Sequence, residues 1–302
     1  MPFDLIDFND VASDDYGLDT CEAVFPVSTR PVSMMGKDKH MDMPAYKATV
    51  GYQNGEVTPL GIVGRDYKVM PNHDFFGTIE NAVRQSIRPD LRADVSVRTQ
   101  LAGGGAWTRR EYVFPAFADK LKSTESETQI GLRIVAWNSY DGSASAGCMV
   151  GLIDWYCTNG MVFGKNIDDI KRRHTSGLTP ELFVPMLTNQ IGNIQFEVRK
   201  IEEMMHRKME IEDAKELLQH AFSARRAEKL AERVATEATV RGWNVFALHS
   251  ALTYYSSHNS DEFKVRETGN DNVARTLMTR ENEVRKLLSS RSWDAWNEQL
   301  AA

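Results

Sequence analysis

The first half of the chain alternates apolar and polar residues in short runs separated by turn residues, which is typical of paired β-strands. Residues 46–53 and 56–63 flank Asn54-Gly55, the strongest short signal for a two-residue hairpin turn. Residues 66–70 have the composition of a further strand. The same pattern predicts two more hairpins, one from 95–101 and 106–114 and one from 130–137 and 146–157. The last segment is apolar on both faces, which predicts a central place in a sheet.

One helix interrupts this β-rich half. Asn72 is placed to cap its first turn, and Pro89 is placed to end it. Between them, apolar residues recur at helical spacing and form one stripe, made of Phe75, Phe76, Ile79, Ala82, Val83 and Ile87. The sequence therefore predicts an amphipathic helix that packs on the sheet.

From Thr179 onward the pattern is helical, because Thr179-Pro180-Glu181 is typical of a helix start. Apolar residues then follow in three- and four-residue steps, the spacing of a coiled-coil seam, at Val184, Leu187, Ile191, Ile194, Val198, Ile201 and Met205. We predict that five of them mediate self-association, namely Leu187, Ile191, Ile194, Val198 and Ile201. Pro185 and Gly192 predict a kink in the first turns. Further helices are predicted near 212–222, 224–240, 243–257 and 272–290.

These patterns predict an α+β fold with a hairpin-rich antiparallel sheet and one packed helix in the N-terminal half, and a helical C-terminal half with a heptad-patterned helix. The predicted divisions are an irregular acidic arm over 1–44, a β-rich region over 45–176 and a helical region over 177–302. The 302 residues suffice for one large domain or two small ones. One contiguous core for the last two regions stays open as an alternative.

The N-terminal segment carries the net charge of −6. Residues 1–45 hold nine acidic and three basic groups, and the remaining residues hold 33 charges of each sign. This balance argues against a protein that coats DNA non-specifically, but not against a local basic patch. The acidic start, the absence of a run of 18 apolar residues and the three cysteines predict a cytoplasmic protein without a membrane partner.

The candidate catalytic groups have surroundings that favour structural roles. The seven histidines form no His-x3-His pair and no Cys-x2-Cys occurs, so we predict no metal site. Cys148 and Cys157 belong to a strand predicted to be buried, and Asp141-Gly142-Ser143 is first of all a turn. Three glycines at 103–105 lie between two strands, unlike a phosphate-binding loop. We therefore predict no catalytic residue and no cofactor.

Basic clusters beside aromatic residues are the strongest functional signal. Residues 84–110 hold six arginines against two aspartates, next to Trp107. Arg109 and Arg110 must face opposite sides of a strand, so only one of them shares the face of Trp107. Cations that follow phosphates and rings that stack on bases suit a single strand. The predicted nucleic-acid-binding residues are Trp107, Arg109, Arg110, Lys165, Lys171, Arg172, Arg173 and His174.

Several short motifs, in this order, resemble the domain-of-unknown-function 932 family, the phage/plasmid-like proteins. They are residues 64–72, the glycine-rich hairpin with Trp107, residues 138–143, 156–159 and 173–175, and the stretches 243–246 and 252–258. The likeness covers roughly residues 46 to 295. The family motif residues Tyr67, Asn138, Asp141, Gly142, Ser143, Cys157 and Asn159 are interpreted as structural. Two departures are Tyr140, where the family often has His, and Asp154-Trp155-Tyr156, where it usually has a basic residue.

The resemblance implies a mobile element, most often a phage, hence the host cytoplasm and a nucleic-acid context, without a reaction. Our leading hypothesis is a nucleic-acid-binding protein that binds or anneals single-stranded DNA in recombination or replication, as a homo-oligomer. Single-strand annealing recombinases have a comparable layout of hairpin and helix, which is fold-level analogy. The alternatives are a non-enzymatic oligomeric structural or interaction protein and, last, a metal-dependent nuclease. The sequence does not decide whether the bound nucleic acid is DNA or RNA.

Overall fold

The computed structural model describes residues 4–6, 22–37, 39–53, 55–91, 95–122, 127–154, 159–161, 170–265 and 273–300, with backbone alone at 4–6, 115–120 and 159–161. The strands are β1 (Asp4–Ile6), β2 (Val27–Met35), β3 (His40–Gln53), β4 (Glu56–Gly64), β5 (Val95–Ala102), β6 (Trp107–Lys122), β7 (Glu127–Ser139), β8 (Ala146–Asp154), β9 (Asn159–Met161) and β10 (Ile170–Arg172). The helices are α1 (Asn72–Ser86), α2 (Val184–Gly192), α3 (Ile194–His206), α4 (Ile211–Ala221), α5 (Ala224–Arg241), α6 (Val245–Ser257), α7 (Val273–Leu288) and α8 (Arg291–Gln299). The α+β prediction is confirmed.

The main sheet is antiparallel and runs in the order β1-β5-β6-β7-β8-β10, and β9 also pairs with β8. Strand β8 is buried along almost its whole length and lies between β7 and β10, as its two apolar faces predict. All three predicted hairpins form, because the turn glycines at 55, 103–105 and 142 have the positive φ angles that these tight turns need.

A smaller sheet of β2, β3 and β4 packs beside the main one. Residues 27–35 and 40–44, expected to be irregular, belong to strands β2 and β3. Residues 66–70, predicted as a strand, instead form a turn and an extended loop, so that prediction is wrong. The reason is that their backbone bonds within the turn, through Tyr67 N–H to the Gly64 carbonyl, and to a distant loop, through Lys68 N–H to the His174 carbonyl.

Helices cover both faces of the main sheet. Phe114 and Ile134 point towards α1 and contribute to the main apolar core. Trp107 and Trp137 point to the opposite face and pack with Ala274 of α7. The main core also contains residues of α2 and α3, so the β-rich region and the first helices of the helical region share one core. A second apolar core lies among α4, α5, α6, α7 and α8.

The predicted self-association seam lies inside the chain. The heptad stripe is divided at Asn193 between α2 and α3, close to the predicted kink at Gly192. The five seam residues are between 0% and 6% exposed and belong to the main core: Leu187, Ile191, Ile194, Val198 and Ile201. The physical reason is that an apolar stripe packs equally well on a sheet of its own chain as on a second helix.

Candidate functional site

The first basic cluster is buried. Trp107, Arg109 and Arg110 are 2%, 2% and 3% exposed, because helices cover both faces of the sheet. Arg109 shares the face of Trp107 and donates to Glu281 of α7, whereas Arg110 donates from Nε to Glu80 of α1 at 2.9 Å. The prediction that only one of the two shares that face is therefore confirmed. Their burial removes all three side chains from any nucleic-acid surface.

Arg109 belongs to a buried ion network between the sheet and α7. Arg133 donates from Nη2 to Glu281 Oε1 at 2.6 Å and from Nε to Glu111. Burial alone would raise the pKa of Glu111, but Arg133, Arg109 and Arg98 hold that pKa well below its usual value. The network therefore links the sheet to α7, and its guanidinium groups keep the buried Glu111 carboxylate charged.

The family motifs converge elsewhere, on a cleft of about 990 Å³. Its walls come from residues 44–45 and 62–67 at the small sheet, 141–145 after β7 and 173–175 after β10. Three motifs that are far apart in sequence therefore meet at one place. Hydroxyl groups, two carboxylates, an imidazole and two guanidinium groups line this cleft, through Ser143, Ser145, Thr175, Asp66, Asp141, His174, Arg65 and Arg173.

Tyr67 and His174 join two walls of the cleft. Their rings stack with centroids 4.5 Å apart. Lys68 N–H donates to the His174 carbonyl at 3.0 Å, and His174 Nδ1 lies 3.0 Å from the Lys68 carbonyl. Burial, reinforced by the charge of Asp141, raises the pKa of Tyr67 to about 12. The Tyr67 hydroxyl is therefore protonated and donates to the Ser139 carbonyl at 2.7 Å.

His174 presents a buried hydrogen-bond acceptor. A carbonyl can only accept, so Nδ1 carries the proton that bonds to Lys68. Burial lowers the pKa of His174, although the Lys68 carbonyl and Asp141 act in the opposite direction. The ring is thus neutral at pH 7 and its Nε2 is an acceptor. Within the described part of the chain this buried Nε2 has no hydrogen-bond partner.

The Asp141-Gly142-Ser143 turn forms the third wall. Asp141 Oδ1 accepts from the Ser143 N–H at 2.9 Å, and Oδ2 accepts from Arg275 of α7 at 2.7 Å. Gly61 of β4 allows the close approach of the small sheet, since a Cβ there would lie 2.6 Å from the Asp141 Cα. The carboxylate is therefore fixed in position from two sides.

A buried amide network supports the cleft from below. Asn138 Nδ2 donates to Asn72 Oδ1 at 2.8 Å, and Asn72 N–H donates to the Tyr140 hydroxyl at 2.8 Å. Asn72 was expected to cap α1, but its side chain makes no cap bond and instead donates to the carbonyl of Ala23 at 2.7 Å. The predicted cap is therefore wrong, because this amide is used between layers. Tyr140 is 1% exposed and has a structural role.

Comparison with protein families decides where the chain belongs. The family model described as a domain of unknown function (DUF932) matches residues 59–290. The chain belongs to this family. No curated protein and no solved structure matches it. Except for residues 44–45, every residue that lines the cleft falls within the DUF932 match.

The second basic cluster of this DUF932 chain lies beside the cleft. Lys171 and Arg173 are exposed, and Arg172 is half-buried. Lys171 Nζ lies 5.7 Å from the ring centroid of Trp137, and partial burial of this amino group lowers the pKa of Lys171. Arg172 Nη2 contacts Met186 of α2 at 3.4 Å. Cations therefore stand on both faces of the short strand β10.

The remaining predicted residues belong to strands of the main sheet or to undescribed parts of the chain. Lys165 and Cys157 lie outside the described residues, and Asn159 begins β9, where its backbone pairs with Asp154. Cys148 is buried in the core, which raises the pKa of its thiol. In the described ranges no three His, Cys, Asp or Glu side chains are placed to hold a metal ion. Nor does any described helix have the length and apolar character needed to cross a membrane.

Sequence reasoning missed two arginines of the site. Arg65 stands within the DUF932 motif at 64–72, so the motif itself could have drawn attention to it. Arg275 is 134 residues from its partner Asp141, and no local pattern in the sequence predicts that pairing. Residue spacing along the sequence could not predict that three motifs converge on one cleft, because this convergence depends on how the two sheets pack.

Proposed function

We propose that the cleft and strand β10 form a binding surface for a single-stranded nucleic acid, with single-stranded DNA favoured, in recombination or replication. One observation carries this proposal: Lys171, Arg172 and Arg173 follow one another beside the cleft, and Arg65 stands on its neighbouring wall. Such a row of cations attracts phosphates. The function proposed is binding or annealing, without catalysis.

Lys171, Arg172 and Arg173 form a cationic row at an edge strand. Because β10 lies at the edge, this row is accessible to a chain of phosphates. Among the described strands, β10 pairs only with β8, through Ile170 to Arg172. Neighbouring side chains of a strand point to opposite faces, and Arg172 accordingly contacts α2 while Lys171 lies over Trp137. A phosphate backbone that follows this edge would meet a cation from either face.

In place of the buried Trp107 we propose Tyr46, an exposed ring on β3 outside the lining of the cleft, as the group for base stacking. Tyr46 is 47% exposed and directly follows Ala45, which lines the cleft. A base has a π-face that stacks on such a ring whatever its identity. Tyr46 and the cationic row together supply the two contacts that single-strand binding needs.

A salt titration tests the proposal. The affinity of a fluorescent single-stranded oligonucleotide is measured against salt for the wild type, for Arg172→Ala/Arg173→Ala and for the control Arg199→Ala/Arg225→Ala. Arg199 and Arg225 are exposed on α3 and α5, so the control removes the same charge elsewhere. The cleft variant should weaken binding and lower the slope of log affinity against log salt by about 0.7 for each lost phosphate contact. The control should keep the wild-type slope.

Two results would contradict the proposal. One is wild-type binding that does not change with salt, since phosphate contacts release counterions. The other is an equal loss of affinity in both double variants, because net charge rather than the cleft would then explain binding.

A further inference from the structure

We propose that the cleft takes one nucleotide with its phosphate against Arg65 and Arg173 and its base against His174, and that His174 selects bases that carry an exocyclic amine. This inference rests on the proposed binding of single-stranded DNA. It adds the orientation of the bound nucleotide and names a residue that determines base specificity.

Among the described residues, none of the hydroxyl or guanidinium groups of the cleft donates to His174 Nε2. Its Nδ1–H is held by the Lys68 carbonyl, and its Nε2 is buried without a partner in the described part of the chain. His174 is 6% exposed and lines the cleft. A buried acceptor without a donor is destabilising, so a ligand that brings an N–H group is stabilised there.

The two acceptors Asp141 and His174 disfavour a phosphate beside them, although Arg275 neutralises part of the Asp141 charge. Asp141 lines the cleft, and its charge acts on both His174 and Tyr67. A phosphate has only acceptor oxygens and a negative charge, so it is unfavourable beside Asp141 and beside a neutral imidazole Nε2. Arg173 provides positive charge at the cleft instead, and so does Arg65, which also forms an exposed ion pair with Asp66 at 3.7 Å. The acceptor of His174 and the guanidinium groups of Arg65 and Arg173 together orient the nucleotide, with its base against His174 and its phosphate against the arginines.

The bases differ in the hydrogen-bond donors that they can offer to His174 Nε2. Cytosine carries an N4 amine and adenine an N6 amine, whereas thymine presents O4 and a methyl group at that edge. The remaining donor of thymine, its N3–H, lies between two carbonyl oxygens that His174 Nε2 would repel. A cytosine is therefore expected to satisfy Nε2, and a thymine is not.

The test compares the wild-type protein on oligo-dC and oligo-dT of equal length, by fluorescence anisotropy at about pH 7.5, where His174 is neutral. Oligo-dC should bind about tenfold more tightly, the size of one net hydrogen bond. Equal affinity, or tighter binding of oligo-dT, with normal salt dependence would overturn this inference and leave the proposed function standing. No binding of either oligonucleotide at low salt would overturn both.

The variant His174→Phe assigns the preference to one atom, because phenylalanine keeps a ring against Tyr67 and has no acceptor. It should bind both oligonucleotides equally and keep the wild-type salt slope, whereas the control His206→Phe, at an exposed position, should keep the preference. A preference for oligo-dC that survives in folded His174→Phe would overturn the assignment.

If this variant does not fold, the ¹⁵N resonance of His174 Nε2 in the wild type serves instead. It should shift with oligo-dC and not with oligo-dT, and the absence of a shift would count equally against His174.

Discussion

At the scale of single residues, the polar groups around the cleft are held by partners from distant parts of the chain. Tyr67 bonds to Ser139, His174 to Lys68, and Asp141 to Arg275. The first two bonds hold the walls against each other and the third fixes one wall to α7, so these side chains both build the cleft and present its chemistry. His174 is the exception, since one of its two ring nitrogens has no partner among the described residues.

His174 also makes stability depend on pH. Burial places its folded-state pKa below the ordinary value of 6.5, so above that pH neither state binds the proton. As the pH falls below 6.5, the unfolded chain takes up a proton that the folded chain does not, and unfolding becomes easier. We expect His174→Gln to lose less unfolding free energy than the wild type between about pH 7.5 and about pH 5.5.

Urea unfolding at the two pH values measures this effect. His258, whose pKa burial also lowers, keeps part of the pH dependence in the variant. The exposed control His206→Gln should lose as much stability as the wild type. A pH dependence that is identical in wild type and His174→Gln would show that His174 titrates alike in both states.

At the scale of elements, the sequence predicts the hairpins, the helix α1 and the order of helices, because periodicity and turn residues act locally. It misses α8, whose nine residues contain only Trp293 and Trp296 as buried anchors and whose start depends on the cap Ser290. It also treats arginines near Trp107 as exposed. Their partners Glu80 and Glu281 are 30 and 172 residues from Arg110 and Arg109, too distant for any local pattern to reveal.

The apolar stripe of α2 and α3 gives a prediction at this scale. Ile194 is 2% exposed in the main core, so Ile194→Asp would bury an unpaired charge. It should lower the free energy of unfolding by at least about 3 kcal/mol. The control Gln195→Asp adds the same carboxylate on the exposed side of α3 and should change stability by less than about 1 kcal/mol.

Chemical denaturation followed by far-UV circular dichroism measures both variants, and light scattering gives their mass. A folded Ile194→Asp protein of wild-type stability and smaller assembly mass would restore the hypothesis that this stripe joins two copies.

At the scale of the whole molecule, two cores and a buried ion network combine the sheet and the helices. The main core crosses from the β-rich region into α2 and α3. On the opposite face, Glu281 of α7 accepts from Arg109 and Arg133. Because α7 also carries Arg275, the same helix contacts both the network and the wall of the cleft. The sequence could not predict this arrangement, since it depends on the packing of α7 across the sheet.

Removal of the carboxylate of Glu281 should therefore loosen α7. Glu281→Gln leaves two buried guanidinium groups short of a counter-charge and should cost about 3–5 kcal/mol. The control Glu283→Gln lies on the same helix in a partly exposed ion pair with Arg226, and should cost less than about 1 kcal/mol. The urea concentrations at the unfolding midpoints of Glu281→Gln and Glu283→Gln measure this difference. If the two midpoints are equal, the buried network adds nothing to stability.

The most direct test of the central claim is to map where a single strand contacts the protein. Ultraviolet cross-linking of single-stranded DNA to the whole chain, followed by mass spectrometry of the peptides, locates that contact. We expect cross-links within residues 44–68 and 170–175, which hold Tyr46, Tyr67 and the cationic row. Cross-links confined to other parts of the chain, such as α4 and α5, would contradict the assignment of the cleft as the nucleic-acid-binding site.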